Sequence, residues 1–428
     1  MSPQQRKVFW VMSLIGLAYF AVFLLPNAYG ARSEPILAES SGDEYVTYPV
    51  VVRILTLGKT FNDERANLFL YEDYHYGYPF YALSALTLLP VRLAYGAGFT
   101  QHLQLNLLLL RQIISLLPML IAAGLLVFMQ TRFESLWKSL VLFIFLLTIR
   151  GVVRNHIWWW HPDALAVLAV VLTLFFLDRD HLRLGVNFYL AAAFCGLAVA
   201  IKLLGLFFFL TVPAYLLAAW LSQHASLPRA ALAGALFVLV MVGVTIGSNP
   251  FLFSKDQRAR LVLIQTQKQV ELSQGYTHDD PMYYSKGPQW WLSTLDKWYA
   301  SPLFLGFLFF SLLAGCIWGP RTFTNRLILT WIVPYSIYLL YFVAVKPDHY
   351  WLPVMLPLFS SALAGWDILT QGQPLFGGRV TWQKLAAGLI ALALLAQVGV
   401  NLGRATSGNI AIYQSAVTRG IQQVQTIH

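Results

Sequence analysis

Long apolar runs separated by short polar turns make up most of this chain. About twelve of them are long enough to cross the hydrocarbon core of a bilayer as helices, which rise about 1.5 Å per residue. The runs are Val8–Leu25, Gly77–Ala97, Leu103–Met129, Leu136–Ile149, Ala164–Leu177, Val186–Ile201, Leu203–Leu221, Ala230–Ile246, Pro302–Gly319, Leu327–Val345, Tyr350–Ala364 and Leu385–Val400. This pattern predicts an all-α polytopic membrane protein.

Two long polar loops, 26–76 and 248–301, interrupt the apolar runs. Both are rich in Tyr, Trp, Pro and ionisable residues. Loops of this length are usually functional or disordered, and the aromatic content argues against disorder. We expect both loops to contain juxtamembrane helices. No linker or internal repeat divides the chain, so residues 1–428 are interpreted as a single transmembrane domain without a separate soluble domain.

Basic residues orient the runs relative to the membrane. Arg6 and Lys7 precede the first run, which places the N-terminus in the cytoplasm and the first long loop outside. Further cytoplasmic turns are marked by Arg132 and Lys138, Arg179 and Arg183, Arg229, Arg321 and Arg326, and Arg379 and Lys384. With these turns inside, the second long loop also lies outside.

The predicted orientation of the loops requires that one apolar run does not cross the membrane. An odd number of spans must separate the first long loop from the Arg132 turn, but two runs lie between them. Gly77–Ala97 contains Pro79, Pro90 and Arg92, so we predict that it lies along the outer interface. The remaining runs give about eleven spans.

Composition agrees with a membrane protein. Of 428 residues, 58% are hydrophobic and 11% are charged, whereas soluble domains contain about 25% charged residues. The net charge of +10 does not indicate nucleic acid, because the basic residues lie singly at the ends of apolar runs. Cys195 and Cys316 lie inside apolar segments, which argues against a disulfide framework or a thiolate metal site.

Acidic residues and histidines collect on the predicted outer face, although ionisable groups near a membrane are costly. Asp43 and Glu44 lie just beyond the first run. They could form a solvated acidic turn that caps a helix. Alternatively, Asp43 is a general base for an acceptor hydroxyl, and Glu44 holds the acceptor or raises the pKa of the base.

Asp163 follows three tryptophans and His161-Pro162, and it opens an apolar helix. It is either an N-terminal cap or a catalytic carboxylate, and the two roles are compatible. Lys202 lies between two apolar runs, where it could snorkel or hold a lipid-linked phosphate. The same alternatives apply to Lys346 and His349, and His349 could also merely cap a helix. Arg53 and Lys59 are further candidates for phosphate binding.

Several kinds of catalytic site are not indicated. The sequence has no glycine-rich phosphate loop, no G-x-S-x-G, no H-E-x-x-H and no Cys/His zinc spacing. We expect no Asp-x-Asp triplet of the kind that bridges a metal ion to a pyrophosphate donor. We therefore expect no cofactor, although the carboxylates leave a divalent metal ion open.

The order of the short motifs resembles the GT-C superfamily of membrane glycosyltransferases, which includes protein mannosyltransferases and lipid A aminoarabinose transferases. The resemblance covers roughly the whole chain. The matching segments are Gly42–Gly58, Tyr76–Pro79, His161–Asp163, Gly196–Lys202 before Gly205, the second long loop, and Lys346–Tyr350 followed by Pro353 and Pro357. One departure is His349, which stands before Tyr350 where arginine is more usual.

The resemblance implies a bundle that transfers a sugar from a polyprenyl-phosphate donor, with inversion at the anomeric carbon. The acceptor is a protein, a lipid or a glycan. By the same resemblance, Asp43, Glu44 and Asp163 are the catalytic carboxylates. The substrate-binding residues are Arg53, Lys59, Tyr78, His161, Lys202, Lys346, His349 and Tyr350.

The resemblance also predicts a location and a lid. We expect the bacterial inner membrane, with the site on the periplasmic or extracellular side. The second long loop is expected to close over the substrates through Tyr276–Pro281 and Gln289–Trp291, with Gly275 and Gly287 as hinges.

Two other functions stay open. A lipid or polysaccharide transporter or flippase would place charged groups near the bilayer midplane. A transferase that uses a pyrophosphate donor would need an arginine-rich site, whereas acids dominate here.

Overall fold

The described residues of this chain form helices and connecting turns without any β-strand. The structure is a computed structural model, and it describes residues 1–29, 31, 37, 42–71, 74–157, 159–275, 284–370, 388–404, 407 and 414. The predicted all-α class is therefore confirmed for this part of the chain.

The helices follow the apolar runs, and further short helices occupy the polar loops. They are α1 Pro3–Val22, α2 Leu24–Tyr29, α3 Gly42–Ile54, α4 Phe61–Phe69, α5 Tyr78–Tyr95, α6 Leu103–Leu110, α7 Leu117–Thr131, α8 Leu136–Thr148, α9 Arg150–Arg154, α10 Asp163–Asp180, α11 Val186–Lys202, α12 Thr211–Leu221, α13 Leu227–Gly247, α14 Lys255–Gln274, α15 Pro288–Trp298, α16 Pro302–Ile317, α17 Thr322–Phe342, α18 Leu352–Ser360, α19 Ala362–Thr370 and α20 Gly388–Arg404. A π-helical segment, Arg111–Leu116, joins α6 to α7.

The described residues contain 6 helices that are long and apolar enough to cross a membrane, or up to 7 if a bent pair counts as one span. The bent pair is α15 and α16, whose axes differ by 96°. Several other helices are shorter or carry charges at their ends, as α10 does with Asp163, Asp178 and Asp180. The predicted count of about eleven spans is therefore not confirmed.

The bundle has two polar ends, which α10 and α11 join as an antiparallel pair at its centre. At one end, the start of α10 meets the end of α11. At the other end, Arg132 after α7 pairs with Asp178 near the end of α10 at 2.6 Å. Thr324 donates a hydrogen bond to the same carboxylate at 2.6 Å. The end that contains Asp163 and Lys202 is called the site end, and the end that contains Arg132 and Asp178 is called the far end.

Both ends of α5 contact the site end. Before α5, the Gly77 amide donates to the Ile201 carbonyl at the end of α11, at 3.1 Å. After α5, the Phe99 carbonyl accepts a hydrogen bond from Asn106 at the start of the helix that runs to the far end, at 2.9 Å. Length and composition alone would let Tyr78–Gln101 cross. The contacts favour an interfacial position, which stays a prediction.

Candidate active site

The site is built where α10 begins and α11 ends. Asp163 is the first residue of α10, where the helix dipole favours a carboxylate. Lys202 is the last residue of α11, and its ammonium pairs with the Asp163 carboxylate. Leu203 then takes a left-handed conformation, with φ of 58°, and turns the chain away. Gly77 packs so closely against this turn that a Cβ there would overlap the Ala200 carbonyl.

His161 connects this ion pair to the first long loop. Its Nδ1 bonds the Asp163 carboxylate, and its Nε2 lies 2.6 Å from the Tyr76 hydroxyl. Burial lowers the pKa of His161 to about 4, against the effect of the Asp163 charge, which raises it. The ring is therefore neutral at neutral pH. It donates from Nδ1 to Asp163 and accepts the Tyr76 hydroxyl at Nε2.

A cavity of about 490 Å³ opens beside this cluster. Six separate parts of the chain supply its polar wall. The polar and aromatic lining residues are Asp43, Thr47, His75, Tyr76, His161, Lys202, Lys268, Glu271, Lys346, His349 and Tyr350. Lys202 lies over the Tyr350 ring at 5.1 Å, and His349 Nε2 lies 3.9 Å from the Asp163 carboxylate. The wall thus combines cations, neutral donors and two exposed carboxylates, those of Asp43 and Glu271.

A second, mostly apolar cavity of about 220 Å³ adjoins the first. The two cavities share His75, Tyr76, Lys202, Lys268 and Tyr350. The apolar wall comes from Val199, Leu204, Phe207, Phe251, Leu252, Leu261, Leu272 and Leu339. A molecule with an anionic group and an apolar tail could therefore lie across both cavities.

Lys346 is a largely buried cation in the polar cavity wall. Its ammonium donates to the Ser285 carbonyl at 2.7 Å and to the Ala344 carbonyl, and it lies over the Trp291 ring at 5.0 Å. Burial and the nearby Lys286 charge lower the pKa of Lys346 to about 8. Because its partners are neutral carbonyls, its positive charge is available to an anion in the cavity.

The structure separates the carboxylates that the sequence grouped as catalytic. Glu44 is fully buried, pairs with Arg111 through both oxygens, and accepts the Trp160 amide at 2.5 Å. It does not line either cavity. A role for Glu44 in holding the acceptor does not fit this geometry, because its oxygens are already occupied by buried donors.

The Asp163 carboxylate, which the sequence predicts to be catalytic, is also enclosed by neighbouring side chains. Its side chain is 4% exposed and is occupied by Lys202 and His161. Asp163 does not line the polar cavity, although both of its partners do. This geometry suits a residue that holds Lys202 and His161 in position. Of the three predicted carboxylates, only Asp43 reaches the cavity.

Three predicted substrate contacts lie away from both cavities. Arg53 faces Asn67 at 3.4 Å, and Lys59 is exposed in the turn after α3. Tyr78 packs its ring against Tyr71, with centroids 5.9 Å apart. All three follow Asp43 in the chain, but none of them lines either cavity. The other predicted contacts, His161, Lys202, Lys346, His349 and Tyr350, line the cavity.

Lys268 and Glu271 of α14 line the cavity but were not singled out in the sequence. Lys268 lies over the Tyr76 ring at 4.9 Å and donates to the His75 carbonyl at 3.3 Å. Their helix has no buried residue. A long polar helical segment in an outer loop is the sequence signal that could have found them.

Only part of the predicted lid lies within the described residues. Tyr276–Pro281, together with Asp279 and Asp280, lies outside the described residues. Gln289–Trp291 begins α15, where Trp291 is buried beneath Lys346. Gly275 and Gly287 have φ of 85° and 117°, which favours glycine at both positions. Their hinge role stays a prediction.

One Asp-x-Asp triplet, Asp178-Arg179-Asp180, lies at the far end of the bundle. Asp178 pairs with Arg132, and Asp180 accepts hydrogen bonds from the Leu184 and Gly185 amides at 2.8 and 2.9 Å. Both acids therefore hold turns together. Among the described residues, no group of three or more His, Cys, Asp and Glu side chains could hold a metal ion.

Comparison with solved structures identifies the fold. The apo oligosaccharyltransferase of Archaeoglobus fulgidus superposes with a TM-score of 0.52 at 12% identity, covering 91% of this chain. This chain corresponds to 56% of that protein. ArnT from Cupriavidus metallidurans bound to undecaprenyl phosphate gives a TM-score of 0.48 at 13% identity, covering 97% of this chain and 78% of that one. No protein-family profile and no curated protein matches the chain.

The fold is therefore similar to that of this oligosaccharyltransferase, and the predicted GT-C-like architecture is confirmed at the level of the fold. The apolar helices and this fold define an integral membrane protein.

Proposed function

We propose that this protein is an inverting glycosyltransferase that uses a polyprenyl-phosphate-linked sugar. The observation that carries the proposal is the pair of adjoining cavities, one polar with the exposed carboxylates of Asp43 and Glu271 and several cations, the other apolar. The acceptor is a protein, a lipid or a glycan at the outer face of a bacterial inner membrane. The proposed reaction needs no cofactor.

The polar cavity offers the groups that a single displacement requires. Asp43 takes the proton of the acceptor hydroxyl as the acceptor oxygen forms its bond to the anomeric carbon. The bond from that carbon to the phosphate oxygen breaks, and the phosphate leaves with the electron pair. Attack opposite the leaving group inverts the anomeric centre. Charge develops on the phosphate, so nearby cations lower the barrier.

Three lysines from separate elements face the expected leaving group. Lys202 is held in place by Asp163, Lys346 by two backbone carbonyls, and Lys268 by the His75 carbonyl. Fixed cations need little reorganisation during the reaction. Neutral His161 adds no charge, but it fixes the positions of Tyr76 and Asp163.

The apolar cavity suits the start of the polyprenyl chain. It shares Lys202 and Tyr350 with the polar cavity, so a phosphate near Lys202 would place its chain among the apolar side chains. A transporter or flippase is the alternative function. The GT-C-like fold and a cavity at the site end, where helices start and stop, favour the transferase.

Binding of undecaprenyl phosphate to the purified protein tests this proposal. Lys346→Met and Lys268→Met each remove one cation from the cavity while keeping the apolar stem. We expect each to weaken binding about tenfold or more, because a charge-assisted contact contributes about 1.5–3 kcal/mol. Lys202→Met is a less clear test, because it would leave Asp163 buried without its cation.

Lys59→Met is the matched control, because Lys59 is an exposed lysine that does not line the cavity. Its affinity should equal that of the unaltered protein. Equal weakening by all three substitutions would mean that binding follows net charge, and unchanged binding in the cavity variants would refute the phosphate site.

A further inference from the structure

A second, separate groove lies on the outside of the bundle between α1 and the helix formed by α6, the π segment and α7. Its volume is about 720 Å³, and its lining is almost entirely apolar. It includes none of the residues that line the two cavities at the site end.

Small residues on both walls make this groove. Gly16 lies on α1, and Gly124 lies on α7. A Cβ at Gly124 would meet no atom within 4 Å, so open space lies above it. Ile113, Leu117 and Ile121 recur at every fourth residue along the same wall, and all three side chains are exposed. Residues three or four apart share one helix face, so the open apolar wall is continuous.

The groove is long and narrow. Ile113 to Phe128 spans about 22 Å at about 1.5 Å per residue, which exceeds one leaflet of a hydrocarbon core about 30 Å thick. This length suits a single extended acyl chain.

One end of the groove carries an uncompensated charge. Arg179 lines the groove at the far end, with its guanidinium 5.7 Å from the centre of the Phe175 ring. The carboxylates on either side of it are occupied, since Asp178 pairs with Arg132 and Asp180 binds backbone amides. Within the described part of the chain, Arg179 forms no ion pair.

The exposed start of α1 lies at the same end. Gln5 donates to the Arg132 carbonyl at 2.9 Å, which brings the first turn of α1 to the far end. The exposed Arg6 and Lys7 follow in that turn. The positive-inside rule places this end at the cytoplasmic surface, where anionic lipid headgroups collect.

We propose that the groove binds one anionic membrane phospholipid, with its phosphate at Arg179 and one acyl chain between α1 and α7. Arginine forms strong charge-assisted contacts with phosphate. The apolar wall alone would accept any lipid tail, so Arg179 supplies the preference for an anionic headgroup. This inference stands independently of the proposed glycosyltransferase activity.

Native mass spectrometry of the full chain in detergent, titrated with phosphatidylglycerol or phosphatidylcholine, tests the site. We expect one tightly held phosphatidylglycerol, with about tenfold preference over phosphatidylcholine. Arg179→Gln should remove this preference. Gly124→Phe should reduce retention of both lipids about tenfold or more by filling the groove, whereas Gly124→Ala should retain them.

Two matched controls separate the groove from general effects. Gly243, like Gly124, is a helical glycine with open space at its Cβ, and Arg183 is an exposed arginine at the same end of the bundle as Arg179. Gly243→Phe and Arg183→Gln should leave lipid retention unchanged. The proposal is overturned if each groove variant behaves like its control, if both lipids bind equally to the unaltered chain, or if Gly124→Phe instead abolishes a dimer of the chain.

Discussion

Asp43, Glu44 and Asp163 all lie in first helical turns, where the helix dipole stabilises negative charge. Burial then separates their functions. Glu44 and Asp163 are buried against cations, and each fixes neighbouring groups in place. Asp43 is exposed to the cavity and can meet a substrate hydroxyl. Because removing one partner of a buried ion pair leaves the other charge unpaired, we expect the two enclosed carboxylates to hold their partners rather than to react.

The lowered pKa of Lys346 predicts a pH dependence for phosphate binding. Lysine is charged below its pKa, and the pKa of Lys346 falls from 10.5 to about 8 through burial and the Lys286 charge. Affinity for undecaprenyl phosphate should therefore be highest below pH 8 and should fall as pH rises through this value. The loss should approach the contribution of one charge-assisted contact, about tenfold.

Isothermal titration between pH 7 and pH 9.5 would measure this loss, since the phosphate's second ionisation near about pH 6 lies below that range. Lys346→Met should bind weakly with no pH dependence over the same range. A flat profile for the unaltered protein would show that Lys346 titrates at its ordinary value.

At the scale of helices, hydrophobic periodicity predicts the elements well, because each apolar run needs its own intrachain hydrogen bonds in a bilayer. The predicted runs correspond closely to helices such as α1, α11 and α13. The number that crosses does not follow from periodicity. Charged residues at helix ends pair with one another inside the bundle, as Arg132 and Asp178 do, so a short or polar helix can still lie within the bundle.

The positions of the helices in the outer loops are harder to predict from the sequence. The segment 255–274 is polar, and nothing in its pattern shows that Lys268 reaches the cavity. Its position depends on distant contacts, such as Gln265 with the Tyr74 carbonyl at 2.7 Å. Likewise, the sequence does not distinguish Asp43 from Glu44. The structure does, because Glu44 is the one that pairs with the buried Arg111.

The interfacial position of α5 predicts a labelling pattern. Gly98 follows α5, and the contacts of α5 place both of its ends at the site end. Gly98→Cys should therefore react with an impermeant thiol reagent only from the periplasmic side. Both native cysteines are buried, which keeps the background low.

Gln223→Cys provides the opposite control, because Gln223 lies in the exposed turn between α12 and α13, next to the predicted cytoplasmic Arg229. It should be labelled only from the cytoplasm. Labelling of both positions from the same cytoplasmic side would show that α5 crosses the membrane.

At the scale of the whole molecule, the two ends of the bundle have different chemistry. The site end gathers cations, neutral hydrogen-bond donors and the exposed Asp43 around adjoining cavities. The far end pairs its acids with Arg132 and with backbone amides, and it leaves Arg179 beside a lipid-sized groove. The GT-C-like fold joins these ends through α10 and α11. The proposed sugar transfer would therefore take place at the site end.

Mass spectrometry of envelope glycans and glycolipids in cells that express the unaltered protein or Asp43→Asn tests the central claim most directly. Asp256→Asn is the matched control, because Asp256 is an exposed acid in α14 that does not line either cavity. We expect a sugar-modified product in cells with the unaltered protein and with Asp256→Asn. In cells with Asp43→Asn the product should fall at least about a hundredfold, the usual contribution of a general base. An identical set of glycans and glycolipids in all three strains, with the proteins present at equal levels, would contradict the assignment.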